Sequence, residues 1–209
     1  MNQATRSRPL VLACGALVSE LRAVLDSNGL SAHVDVRYLP ANLHNRPERI
    51  EPALRELLAQ LDPAGDRTVL LGYADCGSGG GLDRLLAERP NIRRLPGSHC
   101  YEFFTGGAAF KELHEAELGT FFLTDFLAKH FEPLIWQGLA LDRHPELLSM
   151  YFGNYTRVVL LSQTESAEVV SAAQAAAERL GLAFEHRHVG LAPFNNAVAV
   201  VLSTSSAGA

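Results

Sequence analysis

Apolar residues in this chain come in two rhythms, short unbroken runs and longer stripes at helical spacing, and the two alternate. Pro9-Leu-Val-Leu-Ala-Cys14 is an unbroken run, which predicts a strand covered on both faces. Ala16 to Asp26 carries Leu17, Leu21, Val24 and Leu25 on one helical face, with Gly29 placed to end the helix. His33-Val-Asp-Val-Arg-Tyr-Leu39 predicts a second strand. A polar link from Pro40 to Arg46 leads to Pro47, in the first turn of a helix striped by Ile50, Leu54, Leu57, Leu58 and Leu61. Thr68-Val-Leu-Leu-Gly-Tyr-Ala-Asp-Cys76-Gly-Ser-Gly-Gly-Gly81 then runs from a third apolar strand into a glycine loop. Leu82 to Arg89 follows as a helix stopped by Pro90.

The middle is less regular. Ile92 to Leu95 predicts a short strand and Pro96 to Gly107 a glycine-bounded loop. Phe110 to Glu117 reads as a helix, Gly119 to Thr124 as a strand or buried turn, and Asp125 to Trp136 as a helix kinked at Pro133. A short helix opens at Pro145 and ends near Gly153. The last unit is cleaner: strand Arg157–Ser162, helix Ser166 to Leu180 with Gly181 as its stop, and strand Phe184 to Val189. Strands alternating with amphipathic helices predict an α/β fold, a doubly wound and mostly parallel sheet with an irregular helical insertion in the middle. No repeat or low-complexity linker marks a boundary, so the expectation is one compact domain over residues 1–209, with residues 1–8 and 203–209 disordered.

Composition narrows the class. The chain has 209 residues, 47% hydrophobic and 20% charged, enough to bury a sizeable core. A net charge of -5 and the lack of basic runs interleaved with aromatics argue against nucleic acid as a partner. No apolar stretch is long enough for a membrane span, and Met1 to Arg8 lacks the apolar core of a signal peptide. The expected location is the cytoplasm, where 3 cysteines point to metal binding or thiol chemistry rather than disulfides.

Those cysteines are the candidate chemistry. Cys14 closes the first strand and Cys76 follows the third, so a doubly wound sheet brings both to one edge, and Cys100 lies on a loop able to return there. Three converging thiols suit Zn2+ or a 4Fe-4S cluster, though the spacing holds no Cys-x-x-Cys pair. His44 and His99 are the candidates for a fourth ligand, and a vacant fourth position would make the site catalytic. Gly77, Ser78, Gly79 and Gly80 are placed to cradle an anionic part of a small substrate at a helix start. Tyr101 and Glu102 are candidates for proton transfer, and Asp75 for orienting a ligand or capping the loop. Asp125 reads as a helix cap, while His186 and His188 would share one face of the last strand. A Walker motif, a Gly-x-Gly-x-x-Gly after the first strand and a complete Gly-x-Ser-x-Gly are all absent.

The series Ala13-Cys-Gly-Ala16, Tyr38-Leu-Pro-x-x-Leu-His-Asn45, Gly72-Tyr-x-x-Cys-Gly77, Pro96-Gly-x-x-Cys-Tyr-Glu102, Gly119-Thr-Phe-Phe-Leu-Thr-Asp-Phe126 and Tyr151-Phe-x-Asn-Tyr155 resembles a bacterial and archaeal family catalogued as a domain of unknown function. Members of that family are often encoded near corrinoid-dependent methyltransferases of the trimethylamine type. The resemblance implies a role in one-carbon or methylamine metabolism without fixing a reaction. Three readings stay open: a cysteine-ligated metalloenzyme, an accessory protein binding a corrinoid protein or methyltransferase, and a metal-free enzyme with Cys76 as nucleophile.

Overall fold

The computed structural model describes residues 8–204 and divides into two compact units, Met1–Cys100 with Asn195–Ala209, and Tyr101–Phe194. In the first unit the predicted strands become β1 (Leu10–Cys14), β2 (Asp35–Leu39), β3 (Val69–Gly72) and β4 (Ile92–Arg94), of which β1 and β3 are the unbroken apolar runs. All pair in parallel, in the order β2-β1-β3-β4. The crossovers contain α1 (Val18–Ser27), α2 (Ile50–Leu61) and α3 (Gly81–Glu88).

Residue parity sorts the two faces of this sheet. Leu10, Leu12, Val69 and Leu71 pack with Ile50, Leu54 and Leu58 of α2 and with Leu82 and Leu85 of α3. Right-handed crossovers put α1 on the other face, to which Val11 and Leu70 belong by alternation. The chain thus winds outward from β1 to β2 and comes back past β1 to β3. The winding reverses between β1 and β3, and ligands of open α/β sheets bind beyond the strand ends at such a reversal. The opposite edge is tied down by the buried Asp62. Its carboxylate accepts from Arg89 Nη2 at 2.8 Å, Asn91 Nδ2 at 2.9 Å and the N–H groups of Asp66 and Arg67 at 3.2 and 3.1 Å.

The second unit has its own parallel sheet, β5 (Thr120–Thr124), β6 (Arg157–Ser162) and β7 (Ala183–His188), in that order. Alternation along the central strand separates Val158 and Leu160, which pack with Val169, Ala173, Ala176 and Ala177, from Val159 and Leu161, which pack with Phe110 and Leu113. Those partners come from the helix Ala167–Leu180 and the helix Gly107–Ala116. The first is capped by Ser166 and stopped by Gly181 in the left-handed region at φ 72°, as its sequence predicts.

The expected α/β class is found, but with two parallel sheets rather than one. Three local features also differ from expectation. Cys100–Thr105 is a helix inside the predicted loop, and Ala192–Thr204 is a helix where none was predicted. The predicted helix Asp125 to Trp136 is a short helix, Asp125–Lys129, followed by a π turn, Glu132–Trp136, that contains Pro133. Of the ends expected to be disordered, residues 1–7 and 205–209 lie outside the described residues, and Ser203 and Thr204 are helical. Among the described residues no helix is long and apolar enough to cross a membrane.

Candidate functional site

Two cysteines reach the reversal point by simple parity. Cys14 continues the alternation Leu10, Leu12 on β1, so it lies on the α2–α3 face of the sheet. Tyr73 continues Val69, Leu71 on β3 and lies on the same face. Ala13 is the register partner of Gly72, so the next step sets Cys14 beside Tyr73. Both Cys14 and Cys76 are half-buried against the core cluster that contains Tyr73. The Cys14 sulfur accepts the Ala16 N–H at 3.5 Å.

Cys76 is held in an uncommon backbone conformation. Its φ of 51° is left-handed, and Gly77, Gly79 and Gly80 follow at 78°, 61° and 77°. The turn is fixed from outside by the loop after β4: Asp75 N–H donates to the Gly97 carbonyl at 3.1 Å and Cys76 N–H to Ser98 at 2.8 Å. The backbone N–H groups of Ala74 and Cys100 point at the Cys76 sulfur. Burial, then the neighbouring Cys14 charge, push the Cys76 thiol up to about 12. Burial also raises Cys14, against the opposing pull of the Ala16 N–H and the Tyr73 side chain.

Two imidazoles complete the rim. His44 sits in the 3-10 turn Ala41–Asn45 after β2, and His99 in the loop after β4. Desolvation, then the charge of His99, hold His44 below the usual histidine range, although the residue as a whole is exposed. Every strand of this sheet therefore delivers a thiol or an imidazole beyond its carboxyl end: Cys14, His44, Cys76, and the pair His99 and Cys100. Among the described residues no three His, Cys, Asp or Glu side chains stand close enough together to hold a metal ion as they are placed.

A family profile described as Protein of unknown function (DUF1638) matches residues 38–198. The chain belongs to the DUF1638 family. The matched span takes in His44, Cys76, His99 and Cys100 and begins after Cys14. No curated protein and no solved structure matches the chain.

The other predicted positions of this DUF1638 protein fall as follows. The glycine loop is closed on itself: the Asp75 carboxylate accepts from the Ser78 hydroxyl at 2.7 Å and from the Gly80 N–H at 3.2 Å. A carboxylate of the chain thus takes up donors that were expected to serve an anionic substrate, and Asp75 acts as the loop cap. Tyr101 and Glu102 belong to the second unit, where the Tyr101 ring packs against Phe110 and Phe122 at centroid distances of 6.2 and 5.4 Å. Asp125 is not the helix cap; Thr124 takes that role, accepting from the Leu127 N–H at 3.3 Å. The Asp125 carboxylate instead accepts the N–H groups of Gln163 and Thr164 at 3.0 and 2.9 Å, clasping the ends of β5 and β6. His186 and His188 do share a face of β7, with ring nitrogens 2.9 and 3.1 Å from the Ser162 hydroxyl.

Sequence reasoning passed over Tyr73. The available signal was a phenol at the end of an otherwise apolar run, three residues before a cysteine.

Proposed function

We propose that this DUF1638 protein binds a thiophilic metal centre, Zn2+ or an iron–sulfur cluster, at the carboxyl edge of its four-stranded sheet. Cys14 and Cys76 are the anchoring thiolates, Cys100 the third, and His44 or His99 the nearest nitrogen donors. The observation that carries this is the placement of Cys14 and Cys76 at the ends of adjacent strands, on either side of the winding reversal. Two desolvated thiols side by side resist ionisation, and a bound cation turns their repulsion into attraction. The same raised thiol makes Cys76 a poor nucleophile near neutral pH, which disfavours the metal-free reading. Cys100 is tethered to Cys76 through its own N–H, so completing the donor set asks for movement of loop side chains rather than of the sheet.

Such a centre supplies Lewis-acid or redox chemistry, and the one-carbon setting implied by the sequence motifs would direct it at a methyl or thiol group. The test is metal and acid-labile sulfide analysis on protein purified without oxygen, beside Cys14→Ser, Cys76→Ser and Cys100→Ser. Loss of the centre in the first two variants is the expected result. Metal content untouched by all three substitutions would sink the reading. A fully protein-ligated metal that co-purifies with a corrinoid protein, without turnover, would favour the accessory role.

A further inference from the structure

Tyr73 is 2% exposed, and its hydroxyl, although it lies against the Cys14 sulfur, makes no hydrogen bond of ordinary geometry. A phenol in such a place costs free energy that a phenylalanine would not, so the hydroxyl calls for an acceptor that arrives with a ligand. Its neighbours show which one. Cys14 lies one register step across on the same face, and Cys76 three residues further along the chain. A neutral thiol is a weak acceptor and answers the hydroxyl only poorly. A metal-bound thiolate keeps lone pairs and accepts an O–H strongly. The Cys76 sulfur already receives two backbone N–H groups, from Ala74 and Cys100, whereas the Cys14 sulfur receives the one from Ala16.

We propose that Tyr73 is a positioning residue of the metal centre, its hydroxyl donating to the Cys14 thiolate once metal is bound. The bond fixes the sulfur and withdraws electron density from it, which tunes how much charge it passes to the metal. This inference rests on the metal-binding reading above.

Cobalt titration of the chelator-stripped protein tests it, because thiolate-to-Co2+ charge transfer gives a near-ultraviolet band that reports on each sulfur. Tyr73→Phe removes only a hydroxyl that rests against a neutral thiol, so the metal-free variant should fold and melt much as the parent does. With Co2+ it should bind about 10-fold more weakly and show its band at longer wavelength, since an unbonded thiolate is easier to oxidise. Equal affinity and an unmoved band in Tyr73→Phe would overturn the inference while leaving the metal centre standing. A parent protein that takes up no Co2+ would overturn both.

Discussion

Gly72 lies so close against Ala13 that a Cβ built on Gly72 would fall 2.6 Å from the Ala13 Cβ. This contact is the floor beneath the candidate centre, one residue before Cys14 on one strand and at the foot of the Cys76 loop on the other. Gly72→Ala has to push β1 and β3 apart at that point. The expected cost is about 1–3 kcal/mol of stability, as for other overpacked cores, with weaker metal retention in the molecules that still fold. Denaturant unfolding and metal content on the same preparation check both halves.

The metal-free protein should be most stable between the ordinary histidine and thiol ranges. Cys76 ionises at about 12 in the fold against an ordinary 9.0, so between these values the unfolded chain has lost a proton that the native chain keeps. Stability therefore falls as pH rises through that window. His44 is shifted the other way, below 6.5, so on the acid side the unfolded chain binds the extra proton and stability falls as pH drops. Melting temperature against pH, with chelator present, should show both limbs. Cys76→Ser should flatten the alkaline one, and an unchanged alkaline limb in that variant would remove the assignment.

Restoring the metal should raise the melting temperature, since a ligand that binds only the native state stabilises it by mass action, about 2.7 kcal/mol at 100 times its dissociation constant. The increment should vanish in Cys14→Ser and Cys76→Ser. An equal increment in parent and variants would mean that the metal binds elsewhere.

In the second unit, Asp125→Ala leaves the buried N–H of Gln163, the N–H of Thr164 and the Thr164 hydroxyl without their acceptor. A loss of about 3 kcal/mol is expected from orphaned donors of this kind. Hydrogen exchange at the ends of β5 and β6 should speed up, with metal stoichiometry per folded molecule unchanged.

What the sequence reveals depends on how local the cause is. Leu10–Ala13 and Val69–Leu71 are unbroken apolar runs, so the parallel strands could be read directly, and with them the position of Cys14 at one strand end and of Cys76 just past another. The split into two sheets could not, because Thr120–Thr124 pairs with Arg157–Ser162 instead of extending the first sheet, and no linker announces it. The helix Ala192–Thr204 hides because the stripe around Phe194 and Val198 is interrupted by the polar pair Asn195-Asn196. Helix Cys100–Thr105 hides because Pro96, Gly97, Gly106 and Gly107 frame it like a loop. Asp75 and Asp125 look alike in sequence, each at a strand end. Only cross-strand neighbours show that one closes a loop and the other a sheet edge. Tyr73 showed in the sequence only as a phenol ending an apolar run, since its meaning lies in the register with Ala13 and Cys14.

The rim of thiols and imidazoles is assembled from four crossover segments far apart along the chain, one per strand. It is a property of the finished sheet and of no shorter piece. A peptide cut from any one segment carries one or two donors and no geometry, and a nascent chain halted before β4 lacks His99 and Cys100 altogether. Loading at this rim would thus act as a proofreading step: a chain that has slipped one residue between β1 and β3 turns Cys14 to the wrong face and offers nothing to bind.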